Sequence, residues 1–408
     1  MTPGYVTAVE STDHVLAEFY DQHPYPPPVA DLDAYGRASA DPIRRRVEHH
    51  RIWPAAPYRD DHDILVAGCG TSQAARYAMA HPNARVVGID ISEAGLAHHE
   101  MLRDRHGLDN LELRLLPIEQ VATLGAVFAH VVCTGVLHHL ADPDAGLAAL
   151  RSALVPNGAV VLMVYAPYGR TGIYMIQDYC RRLGLGSSPA EIADLVASLR
   201  EIPLGHPLSH LLRGTPDFQH DDALADALLH PSDRAYSVPQ LFGWLERNRV
   251  RFSRWLRQAP YDPRCGTPSE TPHAARIASL ELTEQYAAME LFRGTMTRHN
   301  LIAVRDDDPV DRHSIRFTDD DWRRYVPILD PTVTVVGERL PPGAAAAVLN
   351  SAHHETDLVL FVDEQERAVI DAIDGTRSAG ELCPDSPALL ERLWRHDFIV
   401  LDATAGRT

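Results

Sequence analysis

The stretch DILVAGCGTSQAARYAMAHPNARVVGID, residues 63–90, decides how the chain is read. A short apolar run, Ile64 to Ala67, stops at Gly68-Cys69-Gly70, a helix-like segment follows, and a second apolar run ends in Asp90. Strand, glycine turn, helix, strand is the opening unit of a parallel α/β sheet with right-handed crossovers. Glycine at such a turn permits positive φ and lets a ligand approach the backbone. The helix start beyond it offers unsatisfied N–H groups. A lone G-x-G is also met in purely structural turns. The acid at the tip of the second strand narrows the choice, because a carboxylate there is placed to accept hydrogen bonds from both hydroxyls of a ribose. Ser92 suits the N-cap of the next helix better than Asp90 does, which leaves Asp90 for a ligand. A dinucleotide calls for a third glycine, and this chain has Ser72 in that place.

Outward from this unit the alternation continues. Strands are expected at 111–116, 129–135 and 159–166, and helices at 72–81, 93–105 and 143–154. Continuous apolar runs fit strands covered on both faces. After Ala166 the chain turns helical, with further strands expected at 250–257 and 298–306 and helices at 238–248 and 274–295. The expected fold is thus α/β, a Rossmann-like sheet over 61–166 and 237–306, with a helical insertion at 167–236 forming a lid. Residues 310–408 read as a small α+β, winged-helix-like domain. Residues 1–60 read as a cap, with helices near 12–21 and 42–52. Between them HPYPPPVADLD (23–33) cannot be a helix interior, because proline removes a donor and fixes φ.

Composition bounds the function. At ~150 residues per domain, 408 residues suggest two to three domains. The 38 basic side chains are all arginine, against 56 acids, for a net charge of −18. Without lysine there is no Schiff base and no P-loop. An acidic surface repels phosphate backbones, so nucleic acid is not an expected partner. No apolar run approaches the ~20 residues of a membrane span. The N-terminus lacks the basic start and apolar core of a signal peptide. Five scattered cysteines form neither a disulfide framework nor a metal knuckle, and they read as reduced thiols of a cytoplasmic protein. The 22 histidines show no ligand spacing with acids or cysteines, so no metal is expected.

The fourth strand runs into TGVLHHLADPDAGLAALRSALVPNGAVVLMVYA (134–166). This string resembles class I S-adenosylmethionine-dependent methyltransferases, in particular bacterial members with GVLHHLADP after strand four, some of which carry tetratricopeptide repeats. The leader resembles an FY…PYP element of the same subgroup, here Phe19, Tyr20, Pro24, Tyr25 and Pro26. YAPYGRTGIY (165–174) and DALLHPSDRAYSVPQLFGWL (226–245) resemble two more of its elements, and the likeness covers residues 12–306. AIDGTRSAGEL (372–382) is similar to small modules appended to some protein methyltransferases. The resemblance implies S-adenosyl-L-methionine as cofactor. Gly68, Cys69 and Gly70 would back its methionine and ribose, Asp90 would hold the ribose hydroxyls, and Ile91 would lie against the adenine. Pro117, Ile118 and Glu119 would sit at the adenine edge, with Thr134 and Gly135 at the sulfonium end. Three positions depart from the pattern: Val66 and Pro117 stand where acids are usual, and His130 stands where FD is common.

Methyl transfer to oxygen or nitrogen is helped by a base near the acceptor. His138 and His139, at the carboxyl edge of the sheet, are candidates for that base or else a helix-start feature of the fold. Tyr165 joins them as a catalytic candidate, with Tyr168, Arg170 and Tyr174 either orienting an acceptor or packing beneath the lid. Asp226, His230, Arg234 and Tyr236 read as acceptor-pocket residues or as a structural ion pair and cap, and Tyr20 and Tyr25 are set on the substrate side. The expected activity is in-line methyl transfer to an oxygen or nitrogen of a peptide or protein side chain or of a natural-product intermediate, so that the partner is a small-molecule or peptide acceptor. The alternative is a non-catalytic regulatory protein that keeps the cofactor fold. A nicotinamide dehydrogenase is disfavoured by Ser72 and HHLADP. A homodimer is left open, and no membrane contact is expected.

Overall fold

The computed structural model describes residues 16–214, 221–309 and 313–407. Positions 12–15 of the first expected helix and 310–312 at the start of the C-terminal segment lie outside the described residues. A seven-stranded sheet is built from β1 (Ile64–Ala67), β2 (Val86–Asp90), β3 (Leu111–Leu115), β4 (Phe128–Thr134), β5 (Leu154–Tyr165), β6 (Val250–Trp255) and β7 (Arg298–Arg305), in the order β3-β2-β1-β4-β5-β7-β6. The pairings from β3 to β5 are all parallel, with Ile64 opposite both Val86 and His130 and with Asp90 opposite Leu115. This is the expected α/β class. Strand order reverses at β1, flanked by β2 and β4, so the carboxyl ends of β1 and β4 frame the crevice where such sheets bind ligands.

The crossover helices have local causes. Ser92 Oγ accepts from Gly95 N–H at 3.0 Å to start Glu93–His106, and Gly107 ends it in the left-handed conformation. Asp142 caps Pro143–Ser152 through the N–H groups of Asp144 and Ala145. Beyond β5 come the helices Thr171–Leu183, Pro189–Arg200, Leu208–Gly214 and Asp221–Leu229. They bury a shared apolar cluster that includes Ile173, Ile176, Leu195, Leu208, Leu224 and Leu228. The helix expected over 274–295 is instead two, Ala274–Ala278 and Leu282–Arg293. The Gln285 side chain donates to the carbonyls of Ala278 and Leu280 between them.

The chain divides into two compact units. One comprises Asp61–Val250, Gly294–His299 and the described part of Met1–Gly36. The other comprises Arg37–Asp60, Arg251–Arg293 and the described part of Asn300–Thr408. In the second, β8 (Val326–Leu329) pairs antiparallel with β12 (Ile399–Asp402), and β9 (Val333–Val336), β10 (Ala346–Asn350) and β11 (Leu360–Val362) form a small antiparallel sheet in the order β11-β10-β9. Val47 of the helix Pro42–Ile52 is buried against Ile328 and Val400 of that unit. Among the described residues no helix is long and apolar enough to cross a membrane.

Candidate active site

At the tip of β1 the backbone of Gly68 and Gly70 is left-handed, at φ 68° and 57°. A Cβ on Gly68 would lie 2.4 Å from Val136 Cγ2, and one on Gly70 would lie 2.8 Å from the Tyr25 carbonyl oxygen. Both positions therefore need glycine for conformation and for close approach. Gly70 N–H donates to Asp90 Oδ2 at 2.7 Å and Ser92 N–H to Asp90 Oδ1 at 3.0 Å. Asp90 is buried, which pushes its carboxyl above the usual range, while these N–H groups pull the other way. The Ile91 N–H bears on it too, and since a carboxylate accepts about four hydrogen bonds it keeps acceptor capacity for a hydroxyl. That donor–acceptor balance fits the ribose of a nucleoside cofactor.

The N-terminal segment lies over this turn. Thr71 Oγ1 donates to the Pro26 carbonyl at 2.7 Å, Ser92 Oγ to Asp21 Oδ1 at 2.7 Å, and Leu32 N–H to His106 Nε2 at 3.0 Å. Across the crevice mouth Gln73 Nε2 donates to Thr134 Oγ1 at 2.8 Å, tying the tip of β4 to the first crossover helix. Gly135 beside it is left-handed at φ 81°. Ile91 and Glu119 are half-buried, whereas Ile118 and Cys69 are buried. Burial holds the Cys69 thiol well above its ordinary range, so it stays protonated.

At the ends of β4 and β5 lies a dense polar cluster. The His138 ring packs at a tilt of 47° against Tyr165, with centroids 4.0 Å apart, and the His139 centroid lies 4.1 Å from that of His138 and 3.9 Å from that of His230. Arg170 Cζ sits 3.4 Å over the Tyr165 ring. Its guanidinium donates to Asp233 Oδ2 at 3.1 Å and to Tyr174 Oη at 3.2 Å, and Gln177 Nε2 also donates to Asp233, at 2.8 Å. Tyr20 Oη donates to Asp226 Oδ1 at 3.3 Å and lies 3.1 Å from His230 Nε2. Burial holds all three histidines in the neutral form: His139 falls to about 4, His230 to about 2, and His138 drops well below its ordinary value. The Arg170 charge adds to each of these shifts. Burial, then the charges of Asp226, Tyr165 and Asp90, hold the Tyr20 phenol well above its ordinary range. Tyr20 thus feels both the β2 carboxylate and the histidine cluster.

The other residues singled out from the sequence differ in exposure. Tyr168 and Arg234 are exposed, and Tyr236 is stacked on Trp244 with centroids 5.0 Å apart. Tyr25 is half-buried, and its charge would bear on Tyr165. Five members of the site carried no signal of their own: Asp21, Gln73, Gln177, Ser232 and Asp233. Gln73 lay inside the 63–90 stretch, and Ser232 and Asp233 lay in the motif beside His230. Ligand atoms of His139, Asp226 and His230 come within 4.8 Å of one another. The sequence hinted at this grouping through the helical spacing of Asp226 and His230 alone.

A family profile described as "Methyltransferase domain" matches residues 65–160. The chain is 31% identical over 313 residues to an uncharacterized protein from Synechococcus sp., which covers 74% of this chain and 73% of the relative. The chain belongs to the class I S-adenosylmethionine-dependent methyltransferases. A shorter stretch of this methyltransferase, 98 residues or 24% of it, is 33% identical to a ubiquinone biosynthesis O-methyltransferase from Acinetobacter baumannii, of which it covers 41%. In fold it is similar to PKMT2 from Rickettsia typhi, at a TM-score of 0.63, 14% identity and coverage of 93% of this chain and 77% of that one. The same Rickettsia protein in complex with AdoHcy matches at 0.61 and 13% identity, covering 89% and 76%. S-adenosylmethionine is the cofactor of this methyltransferase.

Proposed function

We propose that this methyltransferase passes a methyl group to an oxygen or nitrogen of a small molecule, or of a peptide or protein side chain. When bound, the cofactor supplies a methyl group made electrophilic by its sulfonium, and the protein contributes orientation and electrostatics. Asp90 accepts from the ribose hydroxyls, the Gly68–Gly70 backbone lies behind the ribose and amino-acid tail, and Ile91, Ile118 and Glu119 border the adenine. Thr134 and Gly135 face the sulfonium end, where the N-terminal segment excludes water. The acceptor enters among Tyr20, Tyr25, Tyr165, Arg170, Tyr174 and His230, and a histidine of the β4 tip takes its proton.

The observation that supports this reading is the position of Tyr20. Its hydroxyl contacts Asp226 and His230 and is close enough to Asp90 to be shifted by its charge. A reacting group held there is beside both halves of the site. The test is release of S-adenosylhomocysteine from S-adenosylmethionine with a panel of hydroxyl, amine and peptide acceptors. Acceptor-dependent release that Asp90→Ala abolishes is expected. Tight cofactor binding without transfer to any of the acceptors would favour a regulatory protein instead.

A further inference from the structure

Ser232 stands between two imidazoles and treats them oppositely. Its carbonyl oxygen lies 2.6 Å from His139 Nδ1, and its N–H donates to His230 Nδ1 at 3.0 Å. A carbonyl only accepts and an amide N–H only donates. The hydrogen bond made by one ring nitrogen fixes the proton on the other. Neutral His139 therefore carries its proton on Nδ1 and presents a lone pair at Nε2. Neutral His230 carries its proton on Nε2 and gives it to the Tyr20 hydroxyl, which in turn donates to Asp226. His138 differs again, since both its ring nitrogens are sealed from solvent without a partner. His139 is buried as well, and its hydrogen bond to Ser232 is made through Nδ1.

We propose that Ser232 is a positioning residue that sorts the pair, making His139 Nε2 the imidazole nitrogen that accepts a proton and locking His230 in a hydrogen-bonded chain with Tyr20 and Asp226. This deepens the methyl-transfer reading and rests on it for the reaction, while the tautomers stand without it. In the step, a lone pair of the acceptor oxygen or nitrogen forms the bond to the methyl carbon. The methyl–sulfur bond breaks, and its electron pair stays on sulfur. The acceptor's proton passes to His139 Nε2, and the imidazolium then returns it to solvent.

The same sorting bears on the grouping of His139, Asp226 and His230. A divalent cation held there needs a lone pair from each imidazole, and His230 Nε2 carries hydrogen. The geometry therefore offers one nitrogen lone pair, not two, and the cluster is a proton-transfer device rather than a metal centre.

The test is long-range proton–nitrogen correlation NMR on the full chain labelled with nitrogen-15 histidine, near pH 7. His139→Gln and His230→Gln assign the signals, with the asparagine variants replacing either that fails to fold. The expected result is the Nδ1–H form at His139 and the Nε2–H form at His230. It includes no change in either on adding manganese(II) or zinc(II) chloride at tenfold excess. The same tautomer at both, the reverse assignment, or metal binding lost in both variants overturns the proposal. Calorimetry with S-adenosylhomocysteine on the same sample reports the methyltransferase reading separately, so the two failures are distinguishable.

Discussion

At the residue scale, burial decides protonation. His139 is held near 4, below the 6.5 of an ordinary histidine. Between those values the unfolded chain takes up a proton that the folded chain refuses, so this residue makes stability fall as pH falls through that window. Replacing His139 with Gln should flatten the pH dependence of denaturant midpoints between about 6.5 and 4. An unchanged slope would contradict the assignment. Arg170 lies over Tyr165 and pairs with Asp233, whose side chain is 3% exposed. Arg170→Met leaves that carboxylate buried without its cation and should cost about 3–5 kcal/mol, read by urea denaturation. A cost below about 1 kcal/mol, the scale of an exposed pair, would count against the pairing.

At the element scale, the glycine turn and the N-terminal segment above it act together. Gly70→Ala puts a Cβ at φ 57° and 2.8 Å from the Tyr25 carbonyl. It should cost about 1–2 kcal/mol of stability and weaken cofactor binding by lifting the segment, measured by denaturation and calorimetry. Unaltered affinity would separate the segment from the cofactor site. This turn was legible in the sequence because its parts are local: strand, glycines and Asp90 lie within one βαβ unit. The histidine cluster was legible only in halves. His139 and Ser232 are 93 residues apart, and no periodicity reports that the end of the Asp221–Leu229 helix returns to the β4 tip. Tyr236 shows why a motif alone does not fix a side chain's place: its N–H donates to the Tyr165 carbonyl at 2.9 Å, while its ring stacks on Trp244. The pairing of the helix Pro42–Ile52 with β12 left no trace either, since burial partners across more than 300 residues are set by packing alone.

At the scale of the molecule, the second unit is assembled from three separated stretches. Within it Asp330 accepts from Arg51 and from Arg257, at 3.0 Å for the latter, and its carboxyl is lowered to about 2. Burial opposes that shift, and the two arginines with Thr332 overcome it. Its contribution is present above the ordinary carboxylate value of 3.8 and is lost as pH falls toward 2. Asp330→Asn should therefore weaken acid dependence in that window, followed by denaturation at stepped pH, and an identical acid profile would refute it. Removing residues 310–408 strips Arg51 of Asp330 and Val47 of Ile328 and Val400. The truncated chain should expose that apolar surface and bind hydrophobic dye. A soluble, cooperatively melting product that binds no dye would show that the other two stretches fold without their partner.

The most direct measurement is a calorimetric titration of the full chain with S-adenosylhomocysteine, beside Asp90→Ala. Saturable binding of one ligand per chain, weakened about tenfold or more by the substitution, is expected from losing hydrogen bonds to a charged group. No heat at saturating ligand, or equal affinity in the two proteins, would contradict the nucleoside site at the tip of β2.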